Sequence, residues 1–207
     1  LAMIDSYVAL GDSFTAGNGL AEGERWPDLL AAKLAAGRDG FEYLNLARDG
    51  ADSRDVLATV PLAIDVRPDL ITLACGANDV LLSTRPDLAG FEGRFDFILE
   101  ELRRIPDVRI LVSTYPDGWQ MPGIGPRTAR RIDQGIRAVN RSIIELAFAH
   151  GIPCMDVTSH PGAKEPGNLD ADGLHPSGLG HRRAAVEYAA ALDRHFGTDL
   201  EQRRITT

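Results

Sequence analysis

The sequence lacks a block of basic residues, a long apolar run and a secretion signal. Its 22 Lys and Arg against 30 Asp and Glu give a formal net charge of −8, which argues against nucleic acid or an anionic membrane as a partner. No apolar segment approaches the roughly 20 residues that a membrane-spanning helix needs. Because no basic segment followed by an apolar stretch begins the chain, the sequence favours a cytoplasmic location, with a removed leader left open.

Cysteine is scarce as well, since Cys75 and Cys154 are the two in the chain. Both lie in apolar runs, which predicts small buried side chains rather than a disulfide. No Cys/His cluster has zinc spacing, and the loop with Asp170 and Asp172 lacks the glycine and terminal glutamate of a calcium loop. We therefore expect neither a metal nor a cofactor.

What is present is typical of one globular domain of 207 residues, with 44% hydrophobic and 25% charged residues. We expect a single domain over residues 1–207, with a core at about 4–197 and a polar tail at 198–207. Apolar runs predict strands, and segments with helical spacing alternate with them. The predicted strands are 7–10, 43–46, 69–75, 108–114 and 152–157; the predicted helices are 26–36, 53–64, 91–105, 127–150 and 177–196. This alternation predicts a five-stranded parallel sheet in a three-layer α/β/α sandwich.

Ligands of such sheets bind outside the carboxyl ends of the strands, so the residues that follow each predicted strand are informative. Ser13 follows the first strand in Gly-Asp-Ser, Gly50 follows the second, and Asn78 follows the third in Gly-Ala-Asn-Asp. Asp172 and His175, three residues apart, lie in the last loop. Each feature alone is compatible with an ordinary turn. Their coincidence at one edge favours a catalytic site.

The five residues suit nucleophilic catalysis on a carbonyl group. Ser13 is the candidate nucleophile, His175 the base that takes its proton, and Asp172 the carboxylate that orients the imidazole. The backbone N–H groups of Ser13 and Gly50 and the side-chain amide of Asn78 are candidate donors to the oxyanion. We expect protonation of His175 to lower kcat/KM on acidification.

In these blocks the sequence resembles the SGNH, or GDSL-type, hydrolase family. The letters match Ser13, Gly50, Asn78 and His175 in that order, across residues 11–175. The resemblance implies a flavodoxin-like fold and esterase, lipase, thioesterase or carbohydrate deacetylase activity, usually without metal. The fourth letter of GDSL is Phe14 here, and we expect that side chain to pack inward.

Two other readings are disfavoured by spacing. An α/β-hydrolase needs a Gly-x-Ser-x-Gly elbow, and Ser13 lies in GDSFT. A dinucleotide fingerprint starting at Gly17 fails because Glu22 occupies its third glycine position.

The loop 116–126 offers candidates for a substrate pocket. Trp119, Met121 and Ile124 are apolar residues in a glycine- and proline-rich segment, and we predict that they border the acyl or leaving-group pocket. Packing on the protein's own core is the alternative.

The leading hypothesis is an esterase for small carboxylic esters. An acyl-CoA thioesterase, carbohydrate deacetylase or acyltransferase with the same triad, and a silent binding module, are the alternatives; retention of every proposed catalytic residue argues against the last.

Overall fold

The computed structural model describes residues 3–118, 121–165 and 167–201. Five parallel strands form one sheet in the order β2-β1-β3-β4-β5. Their bounds are β1 Ser6–Gly11, β2 Glu42–Asn45, β3 Leu70–Ala74, β4 Arg109–Ser113 and β5 Cys154–Met155. The predicted parallel sheet is confirmed, and its order is that of flavodoxin-like folds.

Helices cover both faces of the sheet and complete the predicted three layers. They are α1 Ser13–Ala16, α2 Trp26–Ala35, α3 Ser53–Val66, α4 Ala77–Leu81, α5 Leu88–Leu102, α6 Pro126–Ala149 and α7 Gly178–Phe196, with a 3-10 helix at Pro161–Lys164. The apolar sides of α3, α5 and α6 pack on one face of the sheet in the larger hydrophobic cluster. Helices α2 and α7 pack on the opposite face in the smaller cluster.

The strands divide their side chains between these two clusters residue by residue. Val8 and Leu10 of β1 belong to the larger cluster, and Tyr7 and Ala9 belong to the smaller one, as the two-residue period of a strand requires. This explains why β1 is a continuous apolar run rather than an alternating one: both of its faces are covered.

The edge strand β5 is shorter than the 152–157 that the sequence predicts. Only Cys154 and Met155 pair with β4. Beyond them the backbone N–H of Val157 donates to the side chain of Thr114 at 2.8 Å, and Asp156 accepts from Thr114 and from the Thr158 N–H. Side-chain hydrogen bonds therefore replace the ladder, and the chain leaves the sheet early.

The predicted polar tail is wrong for residues 198–201. Leu200 is 1% exposed and belongs to the smaller cluster. The carboxylate of Asp193 near the end of α7 accepts from the backbone N–H groups of Leu200 at 2.8 Å and Glu201 at 2.9 Å. One buried leucine and one carboxylate thus fold this segment back onto the domain.

The strand order places a ligand-binding edge next to β1. The first connection carries the chain from β1 to β2 on one side, and β3 then returns to the other side of β1. Such a switch point leaves a crevice at the carboxyl ends of the two strands that flank it. Ser13 follows β1 and Asn78 follows β3, so both lie at that crevice.

Candidate active site

Ser13 is held at the end of β1 by a one-turn helix. Gly11 leaves no room for a side chain, because a Cβ there would lie 2.5 Å from the Thr15 hydroxyl and 2.6 Å from the Ala74 carbonyl oxygen. Asp12 caps α1 by accepting from the Phe14 N–H at 3.0 Å. The strand can therefore turn sharply into α1, and Ser13 becomes its first residue at the rim of the sheet.

His175 and Asp172 meet Ser13 from the other end of the chain. The Nε2 atom of His175 lies 3.1 Å from the Ser13 hydroxyl, across 162 residues of sequence. Its Nδ1 atom lies 2.6 Å from a carboxylate oxygen of Asp172. Because the carboxylate only accepts, Nδ1 carries the proton and Nε2 is the acceptor that faces the hydroxyl.

The loop that carries His175 is tied down by its own backbone. The other oxygen of Asp172 accepts from the N–H groups of Leu174 at 2.8 Å and His175 at 3.0 Å. Partial burial alone would raise the pKa of Asp172, but these bonds and the one from the imidazole lower it below its ordinary value. Asp172 therefore stays ionised well into the acid range.

Gly50 and Asn78 lie on the two sides of β1, at the ends of β2 and β3. Asn78 is 8% exposed, and one N–H of its amide donates to the Ala51 carbonyl at 3.0 Å. Within the described residues the second N–H of this amide makes no hydrogen bond, and Asn78 is one of the residues that line the cavity described below. Gly50 adopts a φ of 72° and is exposed. Within the part of the chain that the structure describes, its N–H meets no acceptor.

The turn into α4 also depends on a glycine. Gly76 has a φ of 123°, and a Cβ there would lie 2.6 Å from Phe91 and 2.7 Å from Val139. The chain passes close beneath these two side chains, and α4 starts directly afterwards with Asn78 in its first turn. Sequence patterns do not reveal α4, because five residues are too few to show a helical period.

A buried carboxylate next to Ser13 in the sequence is not revealed by sequence patterns. Asp12 is 2% exposed and accepts from the Tyr115 hydroxyl at 2.6 Å. Burial raises the pKa of Asp12 to about 6, although the bonds from Tyr115 and Phe14 oppose that shift. Tyr115 follows β4 and is fixed in turn by Asn140 of α6, whose amide bonds both its N–H and its carbonyl.

Phe14, which the sequence predicts to pack inward, and two histidines, His160 and His181, lie near the site. Phe14 packs against the smaller cluster and stacks on His181 at 6.0 Å. His181 is 0% exposed and accepts from the Trp26 N–H at 3.1 Å, so it has a structural place. Burial lowers the pKa of His181 to about 4. His160 instead lies in the lining of the cavity described next, 3.5 Å from Glu187.

A cavity of about 690 Å³ opens beside Ser13, Asn78 and His175. It runs from the edge of the sheet where Ser13 lies towards β5 and α7. Its apolar lining includes Phe14, Leu81, Met155, Val157, Leu169 and Val186. Its ionised lining in the described part of the chain includes Arg182 and Arg183 together with Glu165 and Glu187, and Arg183 is paired with Glu165.

Two of the three loop residues that the sequence proposes for a pocket can be compared with this cavity. Met121 and Ile124 pack, partly buried, against the larger hydrophobic cluster, and neither lines the cavity. Packing on the core accounts for their apolar character. Trp119 falls outside the described residues, and its pocket role stays a prediction.

Two further findings bear on partners. No helix in the described ranges combines the length and the apolar character needed to cross a bilayer. Neither cysteine forms a disulfide: Cys75 is buried, and Cys154 packs partly buried against the larger cluster.

Comparison with known proteins identifies the family of the chain. The chain matches the model of the GDSL-like lipase/acylhydrolase family over residues 9–183. It is 26% identical to esterase TesA of Pseudomonas aeruginosa over 183 residues, which cover 85% of this chain and 82% of that protein.

Solved structures share the fold. A lipase/acylhydrolase from Enterococcus faecalis superposes with a TM-score of 0.74 at 22% identity, over 92% of this chain and 96% of that one. The psychrotrophic esterase EstA from Pseudoalteromonas sp. superposes with a TM-score of 0.73 at 18% identity, over 94% and 100%. With the family match spanning most of the domain and the serine at the switch point, the chain belongs to the GDSL-like lipase/acylhydrolase family and is a carboxylic ester hydrolase.

Proposed function

We propose that this enzyme hydrolyses small, uncharged carboxylic esters through an acyl-enzyme intermediate on Ser13. The observation that carries the proposal is one continuous chain of contacts. Ser13 lies 3.1 Å from His175, and His175 lies 2.6 Å from Asp172. A serine becomes a nucleophile when a neighbouring base can take its proton, and the base works when a carboxylate fixes its tautomer.

The first half of the reaction follows from these distances. The Ser13 oxygen attacks the carbonyl carbon while its proton moves to Nε2 of His175. The imidazolium that forms is stabilised by Asp172, and it returns the proton to the departing alcohol. In the second half, water enters in place of the alcohol and attacks the acyl carbon while His175 takes its proton. The bond between that carbon and the Ser13 oxygen then breaks, His175 returns the proton to Ser13, and the acid is released.

The oxyanion of each tetrahedral intermediate has three candidate donors. The Ser13 N–H is at the first position of α1, where helix N–H groups lack internal partners. The Gly50 N–H and the second amide hydrogen of Asn78 complete the set on either side of β1. Losing one such donor typically costs about 10²–10³ in kcat.

The cavity supports an uncharged substrate with an apolar group. Its apolar side chains suit an acyl or alkyl group, and its volume of about 690 Å³ lies within the usual range for small-molecule sites. On the α7 side, Arg182 and Arg183 are balanced by Glu165 and Glu187. A polyanionic leaving group such as coenzyme A gains no net attraction from this lining.

A hydrolysis screen tests the proposal. We expect p-nitrophenyl esters to be better substrates than acyl-CoA thioesters, with Ser13→Ala lowering kcat by about 10⁴-fold or more. Ser159→Ala is the matched control, because Ser159 is exposed and lies outside the cavity lining. Preference for acyl-CoA would overturn the substrate class, and full activity of Ser13→Ala would overturn the mechanism.

A further inference from the structure

A buried polar cluster joins α4 to the start of α3, next to Gly50. Asp79 accepts from the backbone N–H of Ser53 at 2.8 Å and from the Ser53 hydroxyl at 2.5 Å. Arg94 of α5 donates from Nε to the Ser53 hydroxyl at 2.7 Å and from Nη2 to Asp79 at 3.1 Å. Ser53 is 0% exposed. We refer to Ser53, Asp79 and Arg94 as the α3–α4 clamp.

The clamp and the proposed oxyanion donors are continuous in sequence. Asn78 holds the carbonyl of Ala51, and the next residue, Asp79, holds the N–H and hydroxyl of Ser53. Asn78 and Asp79, which are neighbours in α4, thus form hydrogen bonds to Ala51 and Ser53 in the segment directly after Gly50. The distance between the Gly50 N–H and the Asn78 amide depends on these anchors.

Gly50 is held through the residues on both sides of it in the sequence. On its N-terminal side, the Arg48 N–H donates to the Gly11 carbonyl at 3.2 Å, and the Ala51 N–H closes a turn onto the Arg48 carbonyl at 3.2 Å. Gly50 itself is exposed, its φ of 72° favours glycine, and within the described residues no atom beyond its two chain neighbours lies within 4 Å of the position that a Cβ would take. The turn fixes the side of Gly50 that faces β1, whereas on the side that follows Gly50 the segment is fixed to α4 by Asn78 and by the clamp.

Burying the Asp79 carboxylate destabilises the fold unless all of its hydrogen-bond donors are in place. The Asp79 side chain is 3% exposed, and a buried carboxylate is tolerated only when donors satisfy it. The Ser53 hydroxyl donates to Asp79 and accepts from Arg94, so it links the two charged groups. The N-terminus of α3 has a separate cap in Asp52, and helix capping does not require the Ser53 hydroxyl.

We infer that the α3–α4 clamp positions the Gly50 N–H against the Asn78 amide, and so sets the strength of the oxyanion hole. Ser53, Asp79 and Arg94 are positioning residues that act through Gly50 and Asn78. The inference rests on the proposed function, because it assigns the clamp to the oxyanion hole of that reaction.

The test is Ser53→Ala, which removes the hydroxyl and keeps the N–H bond to Asp79. The oxyanion exists only in the tetrahedral states, so we expect kcat to fall about 10-fold or more with little change in KM. The midpoint of the acid limb of the kcat/KM profile should not move, because the His175–Asp172 pair is untouched.

The chain offers a matched control at the opposite end of the sheet. The hydroxyl of Ser6 donates to Asp69 at 3.1 Å, and its N–H donates to the same carboxylate at 3.0 Å. Ser6→Ala removes the same kind of bond far from the crevice. We expect it to lower the melting temperature and to leave kcat unchanged.

Wild-type kcat in folded Ser53→Ala, or an equal loss of kcat in Ser6→Ala, would overturn the inference. If Ser53→Ala does not fold, Arg94→Lys takes its place, since Arg94 is partly exposed; it should lower kcat by about 3-fold or more at constant KM, and wild-type kcat would count against the clamp. Failure of the proposed function is recognised separately, as absence of ester hydrolysis by the wild-type enzyme.

Discussion

Asp12→Asn should change how the stability of the enzyme depends on pH. Asparagine has the same shape, caps helices as well as aspartate does, and still accepts a bond from Tyr115 or Phe14. What it lacks is the ionisation of a carboxyl group whose pKa burial raises from 3.8 to about 6. The variant therefore isolates the effect of that charge.

The magnitude follows from the two pKa values. In the folded state Asp12 holds its proton up to about pH 6, whereas in the unfolded chain it loses it near pH 4. The folded state thus binds more protons in this window. The resulting stabilisation is complete below the unfolded pKa and is lost as the pH rises through about 6. Its full size is roughly 3 kcal/mol.

His181 acts in the opposite direction over nearly the same range. Burial lowers the pKa of His181 from 6.5 to about 4, so the unfolded chain takes up a proton that the folded state refuses. Its contribution is present above pH 6.5 and is lost as the pH falls through about 4. In the wild type, the gain in stability from Asp12 on acidification offsets the loss from His181. In Asp12→Asn, the loss of stability from His181 is no longer offset.

Urea unfolding at several values between pH 4 and pH 7.5 measures the effect. We expect the stability of the wild type minus that of Asp12→Asn to grow by roughly 3 kcal/mol as the pH falls across the window. The exposed Asp170 serves as a control, because Asp170→Asn should leave the pH dependence unchanged. A difference for Asp12→Asn that stays constant with pH, or that grows with alkalinity, would refute the reasoning.

Three further predictions concern the site and the core. Asp172→Asn should lower kcat by about 10²–10⁴-fold, since the amide no longer fixes the imidazole tautomer, whereas Asp170→Asn should keep activity in the same assay; equal kcat values would contradict the role. Gly76→Ala should reduce the free energy of unfolding by roughly 2–4 kcal/mol in urea titrations, whereas Gly93→Ala, with open space around its Cβ, should not reduce it. Met121→Ala should lower stability by roughly 1–3 kcal/mol and leave the ester chain-length profile unchanged; a shifted profile would restore its pocket role.

The sequence predicts the sheet well because its central strands are buried on both sides. Strands β1, β3 and β4 are short, continuous apolar runs between turns, and this pattern indicates buried strands of a parallel sheet. The sequence predicts β5 over 152–157, because this segment begins with an apolar run like those of the other strands, but β5 is only Cys154–Met155. What ends it is a hydrogen bond to Thr114, a residue distant in sequence that no local pattern can reveal.

The same limit applies to the site. Ser13, Gly50 and Asn78 are predictable as candidate site residues because they follow strands whose carboxyl ends share one edge of a parallel sheet. His175 is predictable from its three-residue spacing from Asp172 in the last loop. The Asp12–Tyr115 contact spans 103 residues and joins two side chains that are unremarkable where they stand. The clamp is similar: Ser53, Asp79 and Arg94 become a cluster only once α3, α4 and α5 are packed. Sequence spacing thus predicts the candidate site residues, whereas the long-range contacts that hold them in place are seen only in the folded structure.

The most direct test of the central claim is reaction of the enzyme with a fluorophosphonate, followed by peptide mass spectrometry. A fluorophosphonate is a suitable probe because it reacts covalently with a serine hydroxyl that a neighbouring base activates. A hydroxyl that delivers its proton to His175 should displace fluoride, so Ser13 should be modified, and Ser13→Ala should prevent labelling. An unlabelled wild-type enzyme, or a label on a different serine, would contradict the account.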